Sequence, residues 1–197
     1  MLVGVERAKA APFLAGLVAM FGLTEGSCSK ASSASPDGAE LIGTPAPAWE
    51  ATDWIGSPPL TLEGLRGKVV LVRWFMSTDC PYCTATAPAL NALHEEFKDG
   101  GLVVIGMYHH KNPEPMTVES VKGWATDYRF RFPVAVDRDW RTLNRWWLKG
   151  QRRDFTSVSF LIDKRGTIRR IHPGGTMALG SKDYAGMKST IEALLRE

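Results

Sequence analysis

Two cysteines separated by two residues are the part of this sequence best suited to chemistry. Cys80 and Cys83 follow an apolar, strand-like run at 69–75 and precede a helical pattern that extends through Phe97. This order predicts Cys80 at the N-terminus of a helix, where unpaired backbone N–H groups and the positive end of the helix dipole favour an anion. A thiolate is such an anion, and it is the nucleophile of thiol–disulfide exchange. The spacing therefore favours a redox-active pair.

Paired cysteines can also form half of a zinc site, in which case two further ligands must come from elsewhere in the chain. The available histidines are scattered along the sequence, at His94, His109, His110 and His172. Their spacings fit a metal site poorly, so we expect no metal and no cofactor beyond the redox-active cysteine pair. A copper-binding metallochaperone that uses both cysteines and one histidine is kept as an alternative.

The composition limits the classes of function that need to be considered. The chain has 197 residues, of which 44% are hydrophobic and 23% are charged. This is enough for one globular domain with a full core and an additional terminal segment. The net charge of +3 is small, and the sequence has no basic stripe with interleaved aromatic residues. Nucleic acid is therefore not an expected partner.

Residues 1–27 have the pattern of an export signal. Basic residues precede an apolar run at 10–23, which is shorter than the roughly 20 residues that a membrane-spanning helix needs. Small residues then precede Cys28, so we predict that Cys28 is lipidated, although Glu25 stands where a lipoprotein signal usually has an aliphatic residue. A simple cleaved signal is the alternative.

The segment 28–42 is rich in small polar residues and predicts a flexible tether, followed by one domain at 43–197. Export would place this domain in the periplasm or the cell envelope, with membrane contact only through the N-terminal anchor. Disulfides persist in such compartments, so a CxxC pair would find substrates there.

Alternating strand-like and helix-like segments predict an α/β domain. The strand at 69–75, the helix after Cys83 and the strand at 102–107 imply a parallel pair joined by a crossover. The other predicted elements are a short strand at 60–62, helices at 118–128 and 139–147, strands at 132–136, 156–163 and 167–171, and a C-terminal helix through Met187, Ile191 and Leu194.

This order of elements resembles the thioredoxin fold, and in particular the TlpA/ResA-like and DipZ-like thiol–disulfide oxidoreductases. The resemblance covers residues 43–197 and is carried by segments 67–72, 80–83, 101–106, 132–137 and 160–163, together with Pro88 and Gly166. It implies a thioredoxin-like fold, in which helices flank a central mixed β-sheet.

The resemblance also implies roles for individual residues. Cys80 would be the attacking thiolate and Cys83 the buried resolving thiol. Pro81, Tyr82 and Pro88 would support the site. The implied partners are protein thiols and disulfides of the cell envelope and an upstream electron donor, with reduction of the partner favoured over oxidation.

The sequence departs from the family pattern on the other side of the site. Family members carry a proline that faces the CxxC, in a loop that pairs with the substrate backbone. Counting back from Phe160 places Ser157 at that position, with Thr156 before it. Both residues are therefore expected to line the substrate groove. The central strand also has no acid that could accept a proton.

Three further interpretations remain open, one of the function and two of individual residues. A peroxiredoxin-like thiol peroxidase would have proline and Thr/Ser ahead of its cysteine; Ser77 fits this pattern, but Arg73 occupies the proline position. Asp79 could act as a base, although a turn or helix-cap role is favoured. His109 and His110 follow a strand and could border the groove or bind a metal, but a solvated loop pair is favoured.

Overall fold

The computed structural model describes residues 35–149, 151 and 153–197. Six strands form one mixed sheet, in the order β1-β4-β3-β2-β5-β6. The strands are β1 (Asp53–Ile55), β2 (Val69–Phe75), β3 (Leu102–Tyr108), β4 (Val134–Val136), β5 (Ser159–Ile162) and β6 (Ile168–His172). Strands β2, β3 and β4 are parallel, whereas β1, β5 and β6 run antiparallel to their neighbours.

In the described part of the chain, four α-helical segments flank this sheet. They are α1 (Pro81–Phe97), α2 (Val118–Asp127), α3 (Arg141–Leu143) and α4 (Lys182–Arg196). The short α3 continues a 3-10 turn, Arg138–Trp140, and leads into a π-helical turn, Asn144–Leu148. Among the helices of the described ranges, none has the length and apolar character needed to cross a bilayer. The predicted α/β architecture, a mixed sheet flanked by helices, is confirmed.

The central strand β2 explains why helices pack on both sides of the sheet. All seven of its residues are buried, and successive side chains point to opposite faces. Val72 and Trp74 pack into a cluster that contains Trp146 of the π-helical turn. Leu71, which points the other way, belongs to a second cluster with Leu90 of α1 and residues of α4. The continuous apolar run at 69–75 is therefore a strand buried on both faces, as predicted.

One predicted element is wrong, and a second is wrong only at its start. Residues 60–62 form no strand; the edge of the sheet is β1, which pairs antiparallel with β4. The helix predicted at 139–147 is broken at its start, because Asp139 and Trp140 have φ values of 54° and 58°. This left-handed conformation is costly for non-glycine residues, so tertiary contacts rather than local propensity hold the segment.

Part of the predicted tether packs on the domain. Residues 39–41 form a 3-10 turn, and the carboxylate of Glu40 pairs with Arg153 at 2.6 Å. The pair is well shielded, since the Arg153 side chain is 2% exposed. The folded body therefore begins before residue 43. Residues 1–34, including the predicted signal and Cys28, lie outside the described residues.

Candidate active site

The two cysteines lie where strand, turn and helix meet. Cys80 is the N-cap of α1, Pro81 occupies the first helical position, and the two cysteines form a disulfide. Proline suits this position because its missing N–H would have no intrahelical partner there. The Cys80 Sγ accepts a hydrogen bond from the backbone N–H of Cys83 at 3.3 Å. The sulfur of Cys80 therefore lies at the positive end of the helix dipole, as predicted.

Hydrogen bonds to Ser77 fix the turn before Cys80. The Ser77 carbonyl accepts hydrogen bonds from the Cys80 N–H at 3.1 Å and from the Tyr128 hydroxyl at 2.7 Å. Burial raises the pKa of Tyr128, so this hydroxyl remains a donor at neutral pH. The Ser77 hydroxyl also donates to the exposed Asp79 carboxylate at 3.2 Å. Asp79 is thus a turn residue, and the helix is capped by the Cys80 sulfur instead.

A cleft of about 460 Å³ opens beside Cys80. Its walls come from the CxxC turn, the loop after β3 and the loop before β5, and comprise Met76, Ser77, Asp79, Cys80, Pro81, Tyr82, Lys111, Asn112, Asp154, Phe155, Thr156 and Ser157. Cys83 is absent from this lining and is 3% exposed. An incoming sulfur in the cleft would therefore meet Cys80 first.

The cleft also shows which predicted supporting residues share the site. Pro81, Tyr82, Thr156 and Ser157 all line it, whereas Pro88 lies exposed within α1 and does not. Tyr82 is 44% exposed, and its ring meets that of Phe155 edge-on with centroids 5.2 Å apart. This aromatic contact joins the helix side of the cleft to the facing loop.

His109 anchors that facing loop, and the prediction of a solvated His109–His110 pair is wrong for this residue. His109 is fully buried, with Nδ1 at 3.1 Å from the Phe75 carbonyl and Nε2 at 2.8 Å from Thr156 Oγ1. Because a carbonyl can only accept, Nδ1 carries the proton, and Nε2 accepts from the Thr156 hydroxyl. Burial, reinforced by nearby Lys111, lowers the pKa of His109 to about 3, so the ring stays neutral.

His110 points elsewhere. Its Nδ1 lies 2.9 Å from the Tyr108 hydroxyl and its Nε2 lies 2.7 Å from the Glu114 carbonyl, so the two neighbouring histidines have separate partners. Within the described residues, no three His, Cys, Asp or Glu side chains are grouped so that they could hold a metal ion.

Arg73 lies under the start of α1. It is 1% exposed and follows Leu71 on the face of β2 that packs against α1. Nη2 donates to the Gly175 carbonyl at 2.8 Å and to Thr86 Oγ1 of α1 at 3.5 Å. Nη1 donates to Ser159 Oγ at 3.2 Å. Complete burial lowers the pKa of Arg73 to about 9, so the guanidinium still carries its charge at neutral pH.

Comparisons with known proteins agree with this geometry. Residues 42–171, more than half of the chain, match the AhpC/TSA family. The chain belongs to that family. Protein DipZ of Mycobacterium bovis is 28% identical over 165 residues, which cover 80% of this chain and 21% of DipZ. The thiol-disulfide oxidoreductase ResA of Bacillus anthracis is 30% identical over 127 residues, which cover 64% of this chain and 66% of ResA.

A solved structure gives the same fold. The crystal structure of the thioredoxin-like superfamily protein SPOA0173 is 30% identical, with a TM-score of 0.63, and the match covers 78% of this chain and 97% of that one. The thioredoxin-like fold is therefore confirmed for this AhpC/TSA-family chain. The chain spans about a fifth of the length of DipZ and 66% of ResA.

The sequence indicated the helix side of the site and missed most of the facing side. Lys111, Asn112 and Phe155 line the cleft without any local motif that marks them. Two residues whose roles were not predicted did leave a signal: Arg73 is the only charged residue in the apolar strand at 69–75, and His109 comes directly after a buried strand. Neither signal identifies a partner, because the partners come from distant parts of the chain.

Proposed function

We propose that this AhpC/TSA-family protein is an exported thiol–disulfide oxidoreductase that reduces disulfides of cell-envelope proteins. The observation that carries the proposal is the unequal placement of the two sulfurs. Cys80 caps α1 and lines the cleft, whereas Cys83 lies behind it and outside the lining. This inequality supports an attacking role for Cys80 and a resolving role for Cys83.

The exchange proceeds in two displacement steps. In the reduced protein, the Cys80 thiolate attacks a substrate disulfide held in the cleft, and one substrate sulfur leaves as a thiolate. The Cys83 thiolate then attacks Cys80 Sγ in the mixed disulfide, which releases the second substrate sulfur and leaves the Cys80–Cys83 disulfide. An upstream dithiol donor, which becomes a disulfide itself, regenerates the reduced pair.

The relatives support the reaction type. ResA is named a thiol-disulfide oxidoreductase, and a match of 127 residues to this chain of 197 necessarily includes Cys80 and Cys83. We further propose that residues 1–27 are an export signal and that Cys28 carries a lipid, so that the protein meets its substrates in the periplasm or cell envelope. Fractionation of cells that produce the full chain or its Cys28→Ser variant tests the anchor, since only the variant should leave the membrane fraction.

The decisive experiment measures insulin reduction together with the reduction potential of the Cys80–Cys83 pair. We expect catalysed insulin reduction that Cys80→Ser abolishes, and a covalent substrate complex that accumulates in Cys83→Ser. A potential near about −270 mV would support a reductant, and one near about −120 mV would indicate an oxidant instead. Cys28→Ser is the matched control for loss of a thiol and should retain the activity.

Two outcomes would overturn the proposal. Rapid peroxide consumption without disulfide exchange would identify a thiol peroxidase. Stoichiometric copper that survives dialysis, with no exchange activity, would identify a metallochaperone.

A further inference from the structure

Arg73 is a buried cation that has no acidic partner among the described residues. The guanidinium is surrounded by neutral groups: the Ser159 and Thr86 hydroxyls, the Gly175 carbonyl and the His172 ring, whose Nδ1 lies 3.3 Å from Nη1. Among the described residues, no carboxylate forms an ion pair with it, and its buried Nε has no hydrogen-bond partner. An isolated charge in this position is costly, because burial removes its water and nothing of opposite sign replaces it.

The charge lies close to the redox pair. Thr86, which contacts Arg73, follows Cys83 by three residues on α1, and side chains three apart on a helix have Cβ atoms about 5–6 Å apart. Along β2, Arg73 also shares a face with Phe75, which packs in one cluster with Cys80, Cys83 and Ala87. The guanidinium therefore contacts the residue that lies about one helical turn beyond Cys83, on the side of α1 that packs against the sheet.

We propose that Arg73 is a positioning residue whose charge stabilises the thiolate of Cys83. The oxidised protein shows the charge without a partner, and reduction of the disulfide supplies one. When a donor thiolate attacks Cys80 Sγ, the S–S bond breaks, its electron pair goes to Cys83, and Cys83 becomes an anion. In the reverse direction the same anion attacks Cys80 Sγ of the mixed disulfide. The substrate sulfur then leaves as a thiolate and takes a proton from solvent.

The neighbouring titratable groups do not replace this role. His172 Nδ1 accepts from Arg73, and its Nε2 faces Asp183 of α4 at 3.6 Å. Burial, followed by the charge of Arg73, lowers the pKa of His172 to about 4, so the ring adds no charge at neutral pH. Arg170 of β6 and the neutral His109 also lie within the field of this cluster. Asp183 is largely exposed and pairs with His172 rather than with Arg73.

The test compares Arg73→Met with Arg73→Lys, which keeps the charge, and with Arg165→Met, which removes an exposed cation. In a Cys28→Ser background, Cys80→Ser leaves Cys83 as the only thiol, and ultraviolet absorbance then follows its ionisation. We expect Arg73→Met to raise the pH midpoint of ionisation by about one pH unit, a tenfold loss of thiolate at a fixed pH. Arg73→Lys should restore most of this loss, and Arg165→Met should show none.

The reduction potential provides a second readout in the protein with both site cysteines. At a pH where the thiolate forms, Arg73→Met should favour the disulfide about tenfold, which lowers the potential by about 30 mV. An unchanged midpoint and potential in folded Arg73→Met would overturn the inference and leave Arg73 a purely structural group.

If Arg73→Met does not fold, the ionisation midpoint of Cys83 in the protein that retains Arg73 provides the test. Buried cysteines ordinarily ionise above the free value of about 8.5. With Arg73 present, Cys83 should ionise below that value, and a midpoint at or above it would equally overturn the inference. The inference rests on the proposed exchange reaction, but the two fail differently. Absence of any exchange with glutathione would refute the function, whereas exchange that is independent of Arg73 would refute only this inference.

Discussion

Arg73 and Asp137 are both buried and charged, yet their surroundings differ. Asp137 is 2% exposed, and its carboxylate accepts from the Thr142 N–H at 2.9 Å, the Leu143 N–H at 2.7 Å and the Trp74 indole N–H at 3.0 Å. It is fully satisfied and fixes the start of α3. Within the part of the chain that the structure describes, Arg73 is surrounded by neutral acceptors, and its Nε has no hydrogen-bond partner. In this molecule, the charge with a full set of hydrogen-bond partners organises the fold, whereas the charge without a counter-ion is available to an anion that forms during the reaction.

We expect the largest effect on stability from a substitution of Asp137. Asp137→Ala removes the acceptor of three buried donors, each of which costs about 1–3 kcal/mol when left unpaired, so we expect the free energy of unfolding to fall by about 3 kcal/mol or more. Urea unfolding of the oxidised protein measures this. Asp53→Ala is the control, because its carboxylate pairs with the half-exposed Arg138 and should contribute less than about 1 kcal/mol. Equal losses of stability in the two variants would contradict the structural role of Asp137.

We expect the second largest effect on stability from acid, which protonates the two buried histidines near Arg73. His172 and His109 both lie in the field of Arg73, and their native pKa values are about 4 and about 3. The unfolded chain binds protons at about 6.5, so stability is fully present above this pH and is lost as pH falls towards the native values. Between pH 7 and 5 each ring should cost about 2 kcal/mol.

Unfolding midpoints at the two pH values check this expectation. His109→Phe should remove about 2 kcal/mol of the loss, whereas His172 and His94, whose pKa burial also lowers, still titrate in this window. A protein whose stability is the same at pH 7 and pH 5 would contradict it.

The smallest effect on stability is expected at Arg73 itself. In the oxidised protein, Arg73→Met gives up several hydrogen bonds but also removes a desolvated charge, and such replacements are often close to neutral. We expect the free energy of unfolding to change by less than about 1 kcal/mol. Denaturation of the disulfide form measures this, and a loss as large as that of Asp137→Ala would show that Arg73 is mainly a structural residue.

The sequence predicts those parts of the molecule that local patterns determine. The apolar strand at 69–75 and the cap of α1 at Cys80 follow from periodicity, spacing and helix-end chemistry. The broken segment around Asp139 and Trp140 could not be predicted, because its backbone occupies a left-handed region that only tertiary contacts can select. Short β1 was missed for a related reason: three residues carry almost no periodic signal.

The candidate site divides in the same way. The helix side of the cleft is formed by the continuous CxxC motif, which the sequence predicts directly. The contacts of Arg73 with Ser159 and Gly175 span 86 and 102 residues, and the contact of His109 with Thr156 spans 47. A charge inside an apolar strand indicates that something unusual is buried, but only the folded chain shows that its partners are neutral.

The pairing of β2 with β5 has a mechanical consequence for recognition. Arg73 is the register partner of Ser159, and the ladder continues through a hydrogen bond from the Trp74 N–H to the Val158 carbonyl. The loop that contains Ser157 therefore emerges from the same ladder that leads into the CxxC turn. This ladder ties two walls of the cleft, the CxxC turn and the loop before β5, to one pair of strands. A disulfide that exchanges with Cys80 must therefore enter between two segments whose separation is tied to the pairing of β2 with β5.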